Sequence, residues 1–285
     1  MTWVVLGANG QLGRELIYLL RSLNIKAIGT DRKEIDFEKP SEIYEKLSEI
    51  NPTHIVNCGA YTQVDKAEEE PELANLVNAE APGMIARYAL ESYIPFVHIS
   101  TDYVFDGNSV VPYKEEDKTS PQSIYGKSKL LGEEHVMARN PKAYILRTAW
   151  VYGAHGNNFP KVIAQKLRNN ETLNVVNDQI GSPTWTYDLA KAIVELMEKL
   201  PKNGIYHVTN DDFCSWFDFA QIIAKSLDID AKKIKATDSK TFVRPATRPK
   251  FSVLSNRKWK NSRLTPLRTW QDAWKEAAPT VLISD

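Results

Sequence analysis

A tyrosine and a lysine four positions apart are the residues of this sequence best suited to proton transfer. Tyr125 and Lys129 share one face if the segment is helical. A free phenol has a pKa near ~10 and exchanges protons poorly at neutral pH. A nearby ammonium favours the phenolate, so we expect Lys129 to lower the pKa of Tyr125 and make it a usable general acid. Because this spacing arises by chance in many helices, the interpretation needs support from elsewhere in the chain.

A glycine-rich turn near the N-terminus offers a second kind of chemistry, the binding of a diphosphate. An apolar strand precedes the turn and a helical pattern follows it, so backbone N–H groups at the helix N-terminus could hold the anion. The spacing is Gly-x-x-Gly-x-x-Gly and not the more common Gly-x-Gly-x-x-Gly, and an ordinary tight turn is the competing interpretation. The context favours a dinucleotide-binding turn made of Gly7, Ala8, Asn9, Gly10, Gln11, Leu12 and Gly13.

The residues after the second predicted strand bear on the choice of cofactor. Asp31 could accept hydrogen bonds from the adenosine ribose hydroxyls, which favours NAD. The adjacent Arg32 could pair with a 2′-phosphate, which favours NADP. The two residues point in opposite directions, so the sequence leaves the preference open; we favour NADPH, with NADH as the alternative.

Strand–helix alternation indicates how these residues are positioned. Short apolar runs alternate with amphipathic stretches over residues 1–150, which predicts an α/β fold with a doubly wound parallel sheet covered on both faces. Thr101 follows the fourth predicted strand, and ligands of open sheets bind outside the carboxyl ends of the strands. We expect a dinucleotide-binding domain over 1–150 with return segments at about 181–210, and a substrate-binding lobe formed mainly by 151–285. One long helix is expected over 72–92, and loop structure over 235–266.

Composition excludes several classes of protein. The chain of 285 residues has 36 Lys+Arg and 36 Asp+Glu, and this zero net charge gives no support to nucleic-acid binding. No apolar run reaches the roughly 18 residues that a membrane span needs. Two cysteines, Cys58 and Cys214, are too few for a disulfide framework, so we expect a reducing, cytoplasmic location.

Taken together, these motifs resemble the extended short-chain dehydrogenase/reductase family, and within it the dTDP-4-dehydrorhamnose reductase family. The resemblance covers nearly the whole chain and departs from the family pattern at residues 57–60, where NCGA stands in place of the usual alanines. It implies a Rossmann-like fold with a sugar-nucleotide-binding lobe. The segments that carry it are 60–68 (AYTQVDKAE), 100–105 (STDYVF), 147–153 (RTAWVYG), 156–159 (GNNF), 178–184 (DQIGSPT) and 248–249 (RP).

The resemblance implies that a nicotinamide cofactor delivers hydride to the C4 ketone of dTDP-4-dehydro-L-rhamnose, giving dTDP-L-rhamnose. In that reaction Tyr125 would protonate the oxygen, Thr101 would orient it, and Lys129 would also hold the nicotinamide ribose. Further cofactor-binding residues would be Gly7, Gly10, Gln11, Leu12, Asp31, Arg32, Asp36, Phe37, Ala60, Tyr61, Thr62 and Ile99. Residues for the sugar nucleotide would be Thr101, Asp102, Trp150, Asn158, Gln179 and Arg248.

Two of these substrate residues have a plain structural alternative. Trp150 offers a flat apolar face to a deoxysugar, but it could equally pack in the core. Arg248 could pair with a diphosphate or belong to a surface loop.

Other functions stay open at this point. Another nucleotide-sugar epimerase, reductase or dehydratase of the superfamily is one alternative, and a non-catalytic regulatory subunit like that of methionine adenosyltransferase is another. Dehydratases resemble Thr-Asp-Glu where this chain has Thr-Asp-Tyr at residues 101–103, which counts against dehydration and less against epimerisation. The complete set of Thr101, Tyr125 and Lys129 favours catalysis over a purely regulatory role.

No metal is expected, and a monomer or a homodimer would both fit the sequence. Some members of the family dimerise around Mg²⁺, and Glu15 matches one of the glutamates, but Tyr187 stands where a second is expected. His54, His98 and His207 lie singly beside predicted strands without zinc-ligand spacing, so we expect satisfied core side chains. We expect Trp216 to pack a helix against the core.

Overall fold

The structure, a computed structural model, describes residues 1–283, and a parallel six-stranded sheet forms its centre. Apolar β-branched and aromatic residues fill the central strands, as expected for strands buried on both faces. The strands in chain order are β1 (Thr2–Leu6), β2 (Lys26–Thr30), β3 (His54–Asn57), β4 (Phe96–Thr101), β5 (Tyr144–Thr148), β6 (Val151–Tyr152), β7 (Leu173–Val176), β8 (Ile180–Gly181), β9 (Thr184–Trp185), β10 (Gly204–His207), β11 (Cys214–Ser215) and β12 (Ile234–Thr237).

The order of strands in the main sheet is β10-β5-β4-β3-β1-β2, and all neighbours are parallel. From β1 the chain first adds β2 on one side and then β3 on the other. The crevice outside the carboxyl ends of β1 and β3 is therefore the topological switch point at which such sheets bind ligands. Register brings Leu6 beside Asn57, and Thr101 beside Thr148, at this edge.

Helices cover both faces of the sheet, which confirms the doubly wound α/β fold. Leu16 and Leu20 pack with Leu189 and Ile193 on one face, while Ile43 and Ile85 belong to the core on the other. The helices are α1 (Gln11–Ser22), α2 (Pro40–Ile50), α3 (Pro71–Asn75), α4 (Ala81–Glu91), α5 (Ile124–Arg139), α6 (Phe159–Arg168), α7 (Thr186–Lys199), α8 (Trp216–Ser226), α9 (Arg257–Asn261) and α10 (Trp270–Val281). Within the described part of the chain, no helix has the length and apolar character needed to cross a bilayer.

A second core lies under the later part of the chain, around α6, α8, α10 and the pair β7–β12. Phe219 packs edge-on against Trp270 and Trp274 with centroid distances of 5.6 and 5.2 Å. Ser215 begins α8 with a capping box shared with Asp218, and such caps satisfy amides that the helix leaves free. Two late elements return to the first core, because β10 extends the main sheet and α7 packs on α1.

The segment 72–92 is not the single α-helix that its sequence predicts. It begins as α3, passes through a π-helical turn at Leu76–Glu80, and continues as α4. Pro82 explains the interruption, because proline has no N–H to donate to the carbonyl of Asn78 four residues earlier. The segment 235–266 also contains more than loop, since it includes most of β12 and all of α9.

Candidate active site

The glycine turn between β1 and α1 has the shape of an anion cradle. Gly7 adopts a φ of 72°, and a Cβ there would lie 2.5 Å from the Cα of Gly59. A Cβ on Gly13 would lie 2.3 Å from the Gly7 carbonyl oxygen. Gly10 begins α1 without a side-chain cap, so the first amides of the helix stay free for a ligand. The turn therefore fits a dinucleotide diphosphate.

Beside this turn lies a cavity of about 370 Å³ that brings together many of the predicted cofactor residues. Asp31 accepts hydrogen bonds from the Lys33 backbone at 2.7 Å and the Asn9 amide at 2.6 Å, and the backbone bond is the main reason its pKa is lowered. The Arg32 side chain is exposed and pairs with Glu38 at 2.6 Å. Lining residues that the sequence predicted are Gly7, Asp31, Arg32, Asp36, Phe37, Ala60, Tyr61 and Thr62.

Helix α5 positions the proposed acid and its lysine. Ser123 caps the helix by accepting a hydrogen bond from the Gly126 amide at 3.1 Å. Tyr125 packs edge-on against Tyr103 with centroids 5.5 Å apart, next to the Thr101 hydroxyl. Lys129 is buried, and its Nζ donates to the Ile99 carbonyl oxygen at 2.7 Å. The structure thus brings the predicted catalytic residues together at the carboxyl end of β4.

The expected lowering of the Tyr125 pKa is wrong for the protein alone. Burial raises the pKa of Tyr125 to about 12, and the neighbouring Thr101 hydroxyl opposes this rise only in part. Burial also lowers the pKa of Lys129 to about 8, against the opposing Glu133 carboxylate. The sequence shows the four-residue spacing, but it cannot show that Lys129 is directed at a strand carbonyl and that both groups are desolvated.

Asp102 has an acceptor with no protein partner. The Thr101 hydroxyl donates to its Oδ1 at 3.0 Å, whereas Oδ2 is buried and has no hydrogen-bond partner among residues 1–283. Burial raises the pKa of Asp102 to about 6. A buried polar atom without a partner costs free energy, and the Ser252 hydroxyl is the neighbouring group that most favours the ionised Asp102 carboxylate.

A second cavity, of about 540 Å³, lies over the later core. Arg248 forms a two-pronged ion pair with Asp65, with Nη2 at 2.8 Å from Oδ2, and Arg244 approaches the same carboxylate at 3.6 Å. Gln179 donates to Ser239 at 2.9 Å on the cavity wall. The sequence predicted Gln179 and Arg248 as site residues but did not point to the aromatic and cationic residues that also line this cavity, which are Tyr103, Phe159, Lys166, Trp216, Phe242 and Arg244.

Neither Trp150 nor Asn158 is among the residues that line the second cavity. The Trp150 ring is stacked on Trp216, with centroids 3.4 Å apart, and a Cβ on Gly181 would lie 2.4 Å from Trp150 Cε2. Of the two stacked rings, Trp216 lines the second cavity and Trp150 does not. Asn158 caps α6 and donates to the Gln11 side chain at 2.9 Å, so it connects α6 to the glycine turn.

Asn78 is a further site residue that the sequence analysis missed. Its Oδ1 accepts from the Tyr61 amide at 2.8 Å, and its Nδ2 donates to the Ser128 hydroxyl at 2.9 Å. Ser128 in turn donates to the Tyr125 carbonyl oxygen at 2.8 Å. Asn78 therefore joins the loop after β3 to the helix that carries Tyr125. The sequence signal for this residue was Pro82, four residues later. A proline at that position interrupts the helix and is compatible with a π-helical turn at Asn78, and such turns are frequent at functional sites.

No group of three His, Cys, Asp or Glu side chains that could hold a metal ion is found among residues 1–283. Cys58 and Cys214 are free thiols. Burial raises the pKa of Cys58 to about 12, so this thiol is not activated as a nucleophile.

Comparison with known proteins agrees with this geometry. Residues 1–282 match the family model for the RmlD substrate binding domain. A probable dTDP-4,6-dihydroxy-2-methyloxan-3-one 4-ketoreductase from Streptomyces antibioticus is 40% identical over 100% of this chain and 97% of its own length.

Two solved structures are also similar over nearly their whole length. A dTDP-4-dehydrorhamnose reductase from Clostridium acetobutylicum superposes with a TM-score of 0.94 at 41% identity, covering 99% of this chain and 100% of that one. The enzyme of the same name from Bacillus anthracis, in complex with NADP, has a TM-score of 0.93 at 35% identity and covers 97% and 98%. The resemblance inferred from the motifs is confirmed, and this chain belongs to the RmlD substrate binding domain family.

Proposed function

We propose that this protein is an NADPH-dependent oxidoreductase that reduces the C4 ketone of dTDP-4-dehydro-L-rhamnose to dTDP-L-rhamnose, the last step of dTDP-rhamnose biosynthesis. The observation that carries the proposal is the position of Tyr125. It lies beside Thr101 and Tyr103, and Tyr103 lines the second cavity. Through Ser128 and Asn78 it is also connected to Tyr61, which lines the first.

The first cavity and the glycine turn support NADPH as the cofactor. The free amides of α1 and the crowded Gly7 would hold the diphosphate, and the wall around Asp31 and Phe37 would hold the adenosine. The exposed Arg32 guanidinium is suited to a 2′-phosphate. When bound, the reduced nicotinamide supplies hydride to the ketone carbon. The Bacillus anthracis relative in complex with NADP supports the same choice.

Tyr125 would supply the proton. Its raised pKa keeps the phenol protonated at neutral pH, which a proton donor requires. The ketone oxygen becomes strongly basic as negative charge develops on it, and it can then take the proton from a phenol within hydrogen-bond reach. Thr101 would orient that oxygen, and the proximity of its hydroxyl to Tyr125 supports this role. The buried Lys129 would hold the ribose of the cofactor.

The second cavity supports a dTDP-sugar as the substrate. Lys166, Arg244 and Arg248 provide cations for a diphosphate, and Phe159, Trp216 and Phe242 provide apolar surface for a base and a deoxysugar.

A reductase acting on a different dTDP-ketosugar is the second candidate function. The relative from Streptomyces antibioticus is named for another ketosugar at 40% identity, and no residue described above distinguishes the two sugars. A monomeric or homodimeric state, a cytoplasmic location and the absence of nucleic-acid or membrane partners stay predictions from the sequence.

The test combines purified protein, NADPH and dTDP-4-dehydro-L-rhamnose, and follows the loss of reduced nicotinamide by absorbance. We expect oxidation of NADPH with formation of dTDP-L-rhamnose, and slower oxidation of NADH. Parallel reactions with dTDP-4-keto-6-deoxy-D-glucose, the ketosugar in the name of a Streptomyces niveus relative that is 38% identical, test the second candidate. If neither sugar is reduced by a protein shown to bind NADPH, the proposed activity is wrong.

A further inference from the structure

Two fully buried polar side chains, Asn57 and His98, lie directly behind Lys129. Asn57 ends β3, and His98 lies on the neighbouring strand β4, where the register pairs the two residues. The Asn57 Nδ2 is 3.1 Å from the His98 Nδ1, and the His98 Nε2 is 3.4 Å from the Lys129 Nζ. The sequence predicted His98 only as a core residue.

The hydrogen bonds of Asn57 fix the tautomer of His98. The Gly59 backbone N–H can only donate, and it donates to the Asn57 Oδ1 at 2.9 Å. The amide orientation follows, so the Asn57 Nδ2 presents N–H to the His98 Nδ1. That nitrogen must then carry the lone pair, and in a neutral imidazole the proton lies on Nε2.

The imidazole is held in its neutral form. Burial keeps the pKa of His98 well below its ordinary value, and the positive charge of Lys129 acts in the same direction. The Nε2–H bond is therefore directed at the Lys129 Nζ. A donor facing an ammonium forms no hydrogen bond, whereas a donor facing a neutral amine can be accepted by the amine lone pair.

The other groups around Lys129 do not cancel this effect. The Ile99 carbonyl oxygen accepts a hydrogen bond from the Lys129 Nζ at 2.7 Å. Both the ammonium and the neutral amine can donate this bond, so it favours neither form strongly. Glu133, one turn later on α5, favours the ammonium, but its carboxylate is already paired with Arg147 at 2.7 Å and accepts from Ser100 at 2.5 Å. His98 is thus the neighbour of Lys129 that favours the neutral amine through a directed N–H.

We propose that Asn57 and His98 are positioning residues: Asn57 holds His98 as the Nε2–H tautomer, and that N–H favours loss of the Lys129 proton to solvent. The proposal rests on the proposed function, in which Lys129 holds the cofactor ribose, and it takes the ammonium as the form of Lys129 that does so. It assigns to the Asn57–His98 pair the upper pH limit of activity, because a lysine facing an N–H loses its proton at a lower pH than one facing an acceptor.

A measurement on the wild-type protein tests the tautomer without any substrate or cofactor. Protein labelled with ¹⁵N in its five histidines is examined by long-range ¹H–¹⁵N correlation NMR, and the His98 signals are assigned from His98→Gln. We expect the shift of a protonated Nε2 and an unprotonated Nδ1 at neutral pH. A protonated Nδ1 would overturn the proposal. This outcome does not depend on whether the protein reduces a dTDP-sugar.

The effect on Lys129 is tested by the direction in which a pH profile moves. His98→Leu removes the N–H, and His98→Gln can turn a carbonyl oxygen toward the lysine. For each variant that keeps its circular dichroism spectrum, we expect the alkaline limb of kcat/KM to move to higher pH, by on the order of one pH unit. His54→Gln, in the same sheet but remote from Lys129, is the control and should leave the limb in place. If the alkaline limb of His98→Leu moves to lower pH, His98 accepts a hydrogen bond from the Lys129 ammonium. If the limb does not move, His98 is a packing residue only. Both results contradict the proposal.

Discussion

The carbonyl oxygen of Asn78 lies so close to Gly132 of α5 that a Cβ added at Gly132 would be 2.0 Å from it. This contact sets the π-helical turn directly on the helix that carries Tyr125. Because the Asn78 side chain also bonds to Tyr61 and Ser128, the position of α5 is coupled to the loop that lines the first cavity. The absence of a side chain at Gly132 is what permits this arrangement.

Gly132→Ala should therefore destabilise the protein and reduce its activity. The added methyl group meets backbone and not a flexible side chain, so we expect a loss of about 1–3 kcal/mol in the free energy of unfolding, as is typical of overpacking. Urea unfolding measures this loss. Lys127→Ala, at an exposed position of the same helix, should change stability by less than about 0.5 kcal/mol. Equal stability of the two variants would show that the contact is readily relieved.

Tyr125→Phe should lower kcat by about 10²-fold or more, because it removes the proton donor and keeps the ring. The dissociation constant of NADPH should be unchanged in a fluorescence titration. Tyr18→Phe is the control, since it removes the same hydroxyl group at an exposed position of α1 that lines neither cavity. A turnover of Tyr125→Phe close to that of the control would mean that another acid supplies the proton.

Local patterns were sufficient to predict the sheet and the glycine turn. The sequence patterns that predict β1, α1 and β4 each lie within a short run of consecutive residues. Because β1 and β4 belong to one parallel sheet, their carboxyl ends lie at the same edge. Contacts across the chain were beyond such patterns. Nothing local indicates that Trp216 covers Trp150, or that Asn158 reaches the Gln11 side chain 147 residues away.

The electrostatics of the site could not be predicted for a related reason. Spacing suggested that Lys129 would lower the pKa of Tyr125, but the pKa of a group depends on its desolvation and on where its partners point. Here the Lys129 Nζ is bound to the Ile99 carbonyl oxygen, and burial raises the pKa of Tyr125 to about 12. Burial and hydrogen-bond direction are properties of the folded chain.

Arg248→Met should raise the KM for the sugar nucleotide by about tenfold to a hundredfold, since hydrogen bonds to charged groups contribute about 1.5–3 kcal/mol. The KM for NADPH should stay constant, because Arg248 lines the second cavity and not the first. Lys250→Met removes a cation at an exposed position two residues later and is the control. If both substitutions raise the KM equally, the effect of Arg248 is one of net charge and not of direct contact.

Arg147→Met should cost about 3–5 kcal/mol of unfolding free energy, because it leaves the buried Glu133 carboxylate without its partner. Both side chains of this pair are 3% exposed, and the Nη2–Oε2 distance is 2.7 Å. The pair Arg87–Glu91 has a similar distance of 2.8 Å but is exposed to solvent. Arg87→Met should therefore leave the stability nearly unchanged, because exposed ion pairs contribute little. Comparable losses in urea unfolding of the two variants would contradict the role of burial.

Lys129 should make the stability and the activity of the protein depend on pH in opposite directions. Burial lowers its pKa from 10.5 to about 8 in the folded protein, so between these two values the unfolded chain binds the proton more tightly than the folded one. Unfolding therefore becomes less favourable as the pH rises through this window, and the folded protein gains stability. Over the same window kcat/KM should fall, because the Lys129 ammonium that holds the cofactor ribose is being lost.

Lys129→Met separates these two effects, because methionine matches the length of the side chain and does not titrate. Urea unfolding at a series of pH values should show the stability of the wild type rising relative to this variant between pH about 8 and 10.5. Lys127→Met, at an exposed position of α5, should follow the wild type throughout. A constant difference between the wild type and Lys129→Met would mean that Lys129 keeps its ordinary pKa on folding, and the fall of kcat/KM above pH about 8 would then need another titrating group.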